Sequence, residues 1–383
     1  MARAKRVQLL RRIERLRGSR VISYVTGDRQ PVPAQIGDDA VRPMYELLRE
    51  IGHVKRLDLF LYSRGGAIDV PWRLATALRQ AADEWRVLIP FRANSAGTLL
   101  ALGADQIVMG RQGELGPIDP IMNLQRMVQL PGGGSSLVQE TVNVEDVMAY
   151  VRFVQDRGKL SDQAALSTAL TKLLERIDAI SLGNAYRTHS HIRDVARRLL
   201  LARASPPTEQ EMATIVETLA ERVYAHGHAI GSREAKDIGL PVEEAADDLD
   251  VLMWGLLNEY EDHLQLRSPI DPEAAVMSVD TYDEDVIIAA LETTKSGSEF
   301  GGRFNVRAQR QMPPTLNVSL NLNLQLPGID PQTLPPALQA ALQQGQQALL
   351  QAAQQAVQEA LRAQAPISGV QAAVRSAHWR SVT

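Results

Sequence analysis

The chain has 383 residues, a formal net charge of −4 at pH 7, an apolar content of 45% and no cysteine. This length allows two domains or one domain with appendages. The absence of cysteine excludes disulfides, thiol catalysis and cysteine metal sites, and the negative charge gives no reason to expect a nucleic-acid partner. No apolar run approaches the ~18–20 residues that span a bilayer, and we see no signal-peptide core, so a cytoplasmic location is expected.

Residues 1–20 predict a basic amphipathic helix. They carry eight Lys or Arg residues and a single acid, Glu14. Their apolar residues recur at helical spacing, namely Val7, Leu10, Ile13 and Leu16. Two interpretations fit this pattern: a helix that packs against a partner element, and a helix that lies on an anionic membrane surface. The second would make the protein peripheral to the inner face of the membrane.

Successive strand and helix patterns predict an α/β fold. Residues 21–25, 57–62, 87–91 and 106–109 are strand-like, and residues 40–51 form a helical pattern. Two of the strands run into turns of small residues, Leu61-Tyr-Ser-Arg-Gly-Gly-Ala67 and Arg92-Ala-Asn-Ser-Ala-Gly-Thr98. Because both turns follow parallel strands, we expect them at one edge of the sheet, where open α/β sheets place their sites.

The two turns hold a candidate nucleophile and a candidate oxyanion donor. Gly66 has no Cβ, so another backbone can approach its N–H closely. Ser95 lies where a helix begins, and the free amides of that helix lie beside its hydroxyl. A nucleophile that faces backbone N–H groups is what acyl transfer requires. The plainer interpretation is two ordinary turns with Ser95 as an N-cap.

After residue 120 the pattern becomes mainly helical. A flexible loop is expected at residues 124–142, around Pro131-Gly-Gly-Gly-Ser-Ser136, and we interpret it as a flap near the cleft or as a plain surface loop. It is not a phosphate loop, because no Gly-Lys-Ser/Thr follows. Helices are expected at the following positions: 144–201, 209–224 and 232–238.

Beyond residue 245 the sequence predicts an acidic helix, a small sheet and a tail. The helix covers residues 248–261, and strands are expected at 286–293, 301–307 and 315–326. The tail is rich in Gln and Ala and carries a heptad-like seam too weak for a confident coiled coil. We expect it to serve assembly and to be disordered at its end. The predicted regions are therefore 1–20, 21–245, 246–330 and 331–383.

Several of these stretches resemble known families. Residues 94–120 resemble the nucleophile region of signal peptide peptidase A, and Ser63-Arg-Gly-Gly66 resembles the oxyanion turn of the Clp protease proteolytic subunit. Together with Ser181-Leu-Gly-Asn-Ala-Tyr-Arg187 and residues 226–242, the chain most resembles the serine dehydrogenase proteinase family. The resemblance implies a Clp/crotonase-like βα superhelical core with a helical insertion. To that core the local patterns add a small C-terminal antiparallel β segment and a Gln/Ala-rich helical tail.

The resemblance also implies a serine-type endopeptidase that needs no cofactor and no metal. Ser95 would be the nucleophile, and the N–H groups of Gly66 and Ala96 would hold the oxyanion. An extended peptide or unfolded protein would add a strand beside this turn. The substrate-binding residues expected there are Gly65, Ala67 and Ile68. The family's fold usually assembles into rings or stacks, so a homo-oligomer is expected.

The sequence leaves the general base of Ser95 open. Clp-type enzymes use His and Asp, but counting to the Clp histidine position reaches Ile118 or Asp119. Lys159 would give a Ser–Lys dyad, as in signal peptide peptidase A, although its neighbours are polar. His226 and His228 precede a segment that resembles the Clp region of the third triad residue, although structural histidines are common. Asp119 would orient a base or shape the cleft.

Three functions from different classes are consistent with these patterns. The preferred one is a serine peptidase that forms a Ser95 acyl-enzyme. The second is a catalytically inactive oligomeric scaffold of the same fold, which the missing Clp-position histidine supports. The third is a crotonase-type acyl-CoA enzyme, in which the same backbone donors would stabilise an enolate. A serine at the helix start argues against the third.

Overall fold

The computed structural model describes residues 2–119, 121–129, 135–156, 158, 162–175, 177–222, 227–311 and 334–382. The chain forms two compact units. The first comprises Met1–Pro269, Asp285–Gly302 and Ser376–Thr383, and the second comprises Ile270–Glu284 and Arg303–Arg375. The domain boundaries expected from the sequence remain a prediction.

The helices and strands of the described residues alternate along the first 110 residues. The α-helices are α1 (Ala2–Arg17), α2 (Val41–Ile51), α3 (Val70–Ala81), α4 (Ala96–Leu102), α5 (Val144–Asp156), α6 (Gln163–Leu174), α7 (Ala179–Leu201), α8 (Glu209–Glu217), α9 (Ser232–Asp237), α10 (Asp247–His263), α11 (Pro272–Ala275) and α12 (Pro336–Gln364). The strands are β1 (Arg20–Thr26), β2 (Val54–Tyr62), β3 (Ala82–Ile89), β4 (Arg92–Ala93), β5 (Gln106–Met109), β6 (Glu114–Leu115), β7 (Ile121–Gln129), β8 (Ser135–Asn143), β9 (Val242–Glu244), β10 (Thr281–Glu292), β11 (Gly297–Arg310) and β12 (Ile367–Val382).

A mixed sheet with a parallel centre lies in the first unit and confirms the α/β class. Its strand order is β12-β11-β10-β1-β2-β3-β5-β9. Strands β10, β11 and β12 each have only some of their residues in this unit. Strands β1, β2, β3, β5 and β9 pair in parallel, and β10 is antiparallel to β1. The central strands are near-continuous apolar runs because both faces of the sheet are covered by helices.

Alternate residues of the central strands supply two separate cores. Leu59 and Val87 belong to the cluster on one face, with apolar side chains of α2, α3, α4, α7 and α8. Phe60 and Leu88 belong to the cluster on the other face, with side chains of α1 and α10. This division follows from the two-residue repeat of a strand. It leaves the turns after β2 and β3 free to form a site at the carboxyl edge.

The N-terminal helix packs on the protein itself. Leu10 and Ile13 of α1 are fully buried, and Val7 is 8% exposed. Beside them the buried guanidinium of Arg6 donates from Nε to Glu292 Oε2 at 2.8 Å. The apolar face of α1 is therefore covered, which favours the first interpretation of residues 1–20 over a membrane-bound helix. In the described residues no helix combines the length and apolar character that crossing a bilayer requires.

Two expectations for the rest of the chain need correction. Residues 121–129 and 135–143, expected to be mostly a flexible loop, form the antiparallel pair β7 and β8. The end of the tail, expected to be disordered, is strand β12. The second expectation rested on the Gln/Ala-rich composition of the tail, whereas β12 pairs beside β11 in the sheet. Its Trp379 packs against Phe300 at 5.3 Å between ring centroids. The strand expected at residues 315–326 lies outside the described residues.

Asp105 ties α3, α4 and the end of α7 together. Its carboxylate accepts two hydrogen bonds from the Arg79 guanidinium, at 2.6 and 2.7 Å, and one each from the Trp85 and Ala204 N–H groups. Burial alone would raise the pKa of Asp105, but these donors outweigh it and hold the pKa below its ordinary value. The ionised carboxylate therefore stabilises the fold at neutral pH.

We expect Asp105→Asn to lower the free energy of unfolding by about 2 kcal/mol at pH 7, because the amide cannot accept all of these hydrogen bonds. The folded-state pKa is depressed, so this stabilisation is present at neutral pH and is lost as the pH falls below about 4. Urea unfolding between pH 3 and 7 tests both points. Asp237→Asn, on the exposed surface of α9, is the matched control, and equal losses in both variants would contradict the assignment.

The docking of α1 gives a second prediction. Leu10→Ala removes a fully buried side chain, so we expect a loss of about 3 kcal/mol in unfolding free energy. Leu16→Ala, on the same helix but 45% exposed, should cost less than about 0.5 kcal/mol. Chemical denaturation of both variants measures the difference. A small effect at Leu10 would mean that α1 is not held against α10 in solution.

Candidate active site

The two predicted turns lie side by side at the carboxyl edge of the sheet. Ser63, directly after β2, bridges Ala93 of β4 in parallel. The Ser63 N–H donates to the Arg92 carbonyl at 2.9 Å, and the Asn94 N–H donates to the Ser63 carbonyl at 3.0 Å. The sheet register thus continues past the ends of β2 and β3 and brings residues 63–67 against residues 92–96.

Gly65 approaches the Ser95 side chain closely. A Cβ built at Gly65 would lie 2.8 Å from Ser95 Cβ and 3.3 Å from Ser95 Oγ. The Gly65 backbone also has a φ of +120°, which L-residues rarely adopt. Position 65 therefore has to be glycine for two reasons, the space beside the serine and the backbone conformation.

The chain's own Ile36 occupies one edge of the Gly65–Gly66 turn. Its N–H donates to the Gly65 carbonyl at 2.8 Å, and its carbonyl accepts from the Ala67 N–H at 2.9 Å. Alternate peptide groups of an extended segment face opposite ways, so the Gly66 N–H and carbonyl point to the other edge. A Cβ at Gly66 would lie 2.2 Å from the Ile36 carbonyl oxygen.

The extended stretch beside the serine is shorter than expected. The Val70 N–H donates to the Ala67 carbonyl at 3.3 Å, so Ile68 and Asp69 lie in a turn that leads into α3. Of the predicted substrate-binding residues, Gly65 pairs with Ile36 through its carbonyl and Ala67 through its N–H. Ile68 is in the turn. The edge available to an extended peptide is the one that Gly66 faces.

Ser95 has a strained backbone and a side chain that makes no capping hydrogen bond. Its φ is +50° and its ψ is −111°, a conformation uncommon for a residue with a Cβ. It stands at the N-cap position of α4, yet its side chain makes no capping hydrogen bond. The plain capping interpretation is therefore wrong for the side chain, because a capping serine would bond to an amide of the first helical turn.

Two backbone N–H groups in these turns donate no hydrogen bond within the described residues. The Gly97 N–H donates to the Asn94 carbonyl at 2.8 Å. By contrast, neither the Ala96 N–H nor the Gly66 N–H has a hydrogen-bond partner among the described residues. These are the two donors that the sequence predicted for an oxyanion.

Buried hydroxyls support both turns. Ser63 Oγ accepts from the Gly65 N–H at 3.0 Å and from Thr26 Oγ1 at 2.8 Å. On the other side of the serine, Thr98 Oγ1 donates to the Ala93 carbonyl at 2.7 Å and accepts from the Gly116 N–H at 3.0 Å. All of these hydroxyls are buried, so their hydrogen bonds fix the turns without competition from water.

A charged cluster holds Arg64, the residue before Gly65. Its Nε donates to Asp28 Oδ2 at 2.7 Å, while the Tyr62 hydroxyl donates to Asp28 Oδ1 at 3.0 Å. Burial, with the neighbouring Asp28 charge, raises the pKa of Tyr62 well above its ordinary value, so the phenol stays a hydrogen-bond donor at physiological pH.

Of the three predicted general bases, His228 is the one within the described residues. Lys159 and His226 lie outside the described residues. His228 is exposed, and its Nε2 lies 2.9 Å from Glu234 Oε1. It precedes Ile230, which pairs with Leu115 of β6, and β6 pairs in turn with β4 beside the serine turn. Asp119 is 3% exposed.

The sequence analysis missed one histidine, His191, which lies beside the residues that follow the glycine turn. His191 is on α7, and its Nε2 lies 2.5 Å from Oδ1 of Asp69. Asp69 is the residue directly before α3. Eight residues further along α7, Leu199 reaches the end of α4, where its Cδ2 would lie 3.1 Å from a Cβ at Gly103.

These two contacts set the direction of α7. Both α3 and α4 run back from the carboxyl edge of the sheet, and eight helical residues span roughly 12 Å. Leu199 lies beside the end of α4, and His191 lies beside the start of α3, so the His191 end of this part of α7 is directed toward the carboxyl edge of the sheet. No local sequence signal marks this pairing, because Asp69 and His191 are 122 residues apart.

A parallel sheet with a strained serine and a glycine turn at its carboxyl edge is typical of α/β serine hydrolases. Residues 1–132 match the family model of the ClpP-like SDH-type serine proteinases. This match covers about a third of the chain and agrees with the resemblance seen in the motifs. At the level of the family, this supports a hydrolase of the serine peptidase class.

Relatives extend the similarity beyond residue 132. The chain is 25% identical over 274 residues to the uncharacterized protein MJ0137 of Methanocaldococcus jannaschii, a match covering 70% of this chain and 82% of that protein. It is 34% identical over 124 residues to MJ1495 of the same organism, covering 30% of this chain and 42% of that protein. Among solved structures it is similar to a ClpP1 mutant from Listeria monocytogenes, with 12% identity, a TM-score of 0.31 and coverage of 62% of this chain and 98% of that chain.

The contact between Gly65 and Ser95 predicts the effect of a methyl group. We expect Gly65→Ala to displace the Ser95 side chain, because the new Cβ would overlap it. Reaction of Ser95 with a serine-directed fluorophosphonate should slow by about 100-fold, the effect of a displacement of roughly 1 Å. Gly183→Ala is the control, because a Cβ there meets nothing within 4 Å. Wild-type reactivity in Gly65→Ala would contradict the close approach.

Proposed function

We propose that the protein is a serine endopeptidase that cleaves peptides or unfolded proteins through a Ser95 acyl-enzyme. The observation that carries the proposal is the conformation of Ser95. Its φ is +50° and its hydroxyl makes no capping bond. Strain of this kind costs on the order of 1–3 kcal/mol and clusters at active sites, and it places the serine in a sharp turn between strand and helix, as in nucleophile elbows.

The oxyanion would be held by the Gly66 and Ala96 N–H groups. Both lack partners among the described residues, and the two turns that carry them are hydrogen-bonded together through Ser63. A negatively charged oxygen that forms between them would receive two hydrogen bonds with little reorganisation. Removal of a single donor of this kind typically costs 10²–10³ in kcat.

The substrate would lie along the edge that Gly66 faces. Ile36 blocks the opposite edge of the turn, so an extended peptide has one side on which to add a strand. There the Gly66 carbonyl would accept a peptide N–H, while the Gly66 N–H would point at the scissile carbonyl. The substrate-binding role predicted for Ala67 and Ile68 then becomes one of shaping the turn.

A base must take the proton of Ser95 Oγ as it attacks, and must return it to the leaving amine. The candidates are Lys159, His226 and His228, to which the structure adds His191. His191 is hydrogen-bonded to a carboxylate, Asp69, which lies two residues after Ala67 of the glycine turn. An acceptor histidine oriented by a carboxylate is the arrangement that activates serine in unrelated hydrolases.

Assembly and location belong to the same proposal. We expect a homo-oligomer, as the family resemblance implies, and a cytoplasmic location, as the absence of a signal-peptide pattern led us to expect. Light scattering at micromolar concentration measures the mass. The burial of Leu10 and Ile13 leaves α1 without an apolar face for a membrane, so peripheral attachment is not part of the proposal.

Labelling with a fluorophosphonate, read by intact mass, tests the nucleophile. We expect one adduct per chain in the wild type, its absence in Ser95→Ala, and its retention in the control Ser167→Ala, which removes an exposed hydroxyl on α6. The labelling rate should vary with pH as the general base gains or loses its proton. This variation should disappear in one of four variants: Lys159→Ala, His191→Gln, His226→Gln or His228→Gln.

Peptide hydrolysis distinguishes the proposed function from the alternatives. A peptide ester should leave an acyl group on Ser95 that water removes. Folded protein that shows no adduct between pH 6 and 10 would contradict the peptidase and favour the scaffold. Turnover of an acyl-CoA that persists in Ser95→Ala would favour the crotonase-type enzyme.

A further inference from the structure

The last strand of the chain reaches the loop that supports the glycine turn. Trp379 of β12 donates from its indole Nε1 to Asp39 Oδ2 at 2.7 Å. Its ring is partly buried and packs against Phe300 and the core on the α3 side of the sheet. Residues 376–383 belong to the same compact unit as both turns of the site.

Asp39 lies three residues after Ile36, in the short 3₁₀ turn Asp38–Ala40. That turn is closed by the Ala40 N–H, which donates to the Gly37 carbonyl at 3.1 Å. Ile36 in turn makes both hydrogen bonds to Gly65 and Ala67. A short path of direct contacts therefore runs from the Trp379 indole to the peptide groups on either side of Gly66.

Side chains from two directions restrain this loop. Arg73 of α3 forms an ion pair with Asp38, and Trp379 bonds to Asp39. Both aspartates are exposed, so neither bond is required to compensate a buried charge. Most of residues 376–382 are exposed, whereas Trp379 packs on the core. Trp379 is thus the anchor through which the C-terminal strand acts on the loop.

We propose that Trp379 is a positioning residue for the oxyanion turn, and that the C-terminal strand supports the active site. The proposal rests on the function proposed above. The indole N–H fixes Asp39, which keeps Ile36 in register with Gly65 and Ala67 and so aims the Gly66 N–H at the developing oxyanion. Trp379 touches no reacting atom, and its loss should act through the geometry of Gly66.

Two substitutions separate the N–H group from the ring. Trp379→Phe keeps an aromatic ring against Phe300 but removes the donor to Asp39, whereas Trp379→Ala removes both. We expect Ser95 labelling to slow about threefold in Trp379→Phe and about tenfold or more in Trp379→Ala, since small displacements of positioned groups have large effects on rate. His378→Ala, on the exposed neighbour in the same strand, should label at the wild-type rate.

The ratio of kcat to KM effects distinguishes positioning from a general loss of structure. Donors to an oxyanion act in the transition state, so kcat for a peptide should fall while KM changes little. The thermal midpoint of Trp379→Phe should stay within about 2 °C of the wild type, because one exposed hydrogen bond contributes little stability. A loss of kcat that only follows a loss of stability would overturn the proposal.

Amide hydrogen exchange tests the same linkage without any activity. The Ile36 and Ala67 N–H groups report the pairing with the glycine turn. Both should exchange faster in Trp379→Phe and Trp379→Ala, while amides in the middle of β2 keep their protection. Unchanged exchange at both amides would overturn the positioning role, even in a protein whose Ser95 proves unreactive. If wild-type Ser95 is unreactive while exchange responds as expected, the proposed peptidase function fails but the structural linkage stands.

Discussion

The site depends on the close approach of Gly65 to Ser95. The register of β2 with β3 continues past the strand ends through Ser63 and Ala93, so the two turns meet with almost no space between them. Any side chain at position 65 would enter the volume of the serine, 2.8 Å from its Cβ. The chemistry attributed to Ser95 is thus a consequence of sheet register and of one missing Cβ, and neither alone would produce it.

Ile36 decides which way the turn can act. A short extended segment has two edges, and each peptide group can serve only one of them. By binding the Gly65 carbonyl and the Ala67 N–H, Ile36 fixes the turn and leaves Gly66 to face the opposite edge. The same two hydrogen bonds that give the turn rigidity also leave the Gly66 N–H facing away from Ile36, so support and orientation come from one contact.

The parts of this arrangement that are local in sequence could be predicted, and the parts that are distant could not. Apolar runs followed by Gly65–Gly66 and by Ser95 indicate parallel βα units, because strand and helix periodicity are local signals. The contacts of Ile36, of His191 with Asp69 and of Trp379 with Asp39 have no such signal. The last joins residues 340 apart, in a segment whose composition suggested disorder. Composition reports how much apolar surface a segment carries, but it does not report that the segment pairs with β11 and that one of its residues, Trp379, packs on the core.

Strain at Ser95 requires compensation from its surroundings. A residue with a Cβ at φ +50° costs on the order of 1–3 kcal/mol, and a net hydrogen bond contributes about 1 kcal/mol. Thr98, one turn after the serine, binds the Ala93 carbonyl and the Gly116 N–H, while Ser63 binds Gly65 and Thr26. These buried hydroxyls offset the strain from both sides. The compensation therefore lies in neighbouring residues, while the Ser95 hydroxyl itself makes no capping hydrogen bond in the part of the chain that the structure describes.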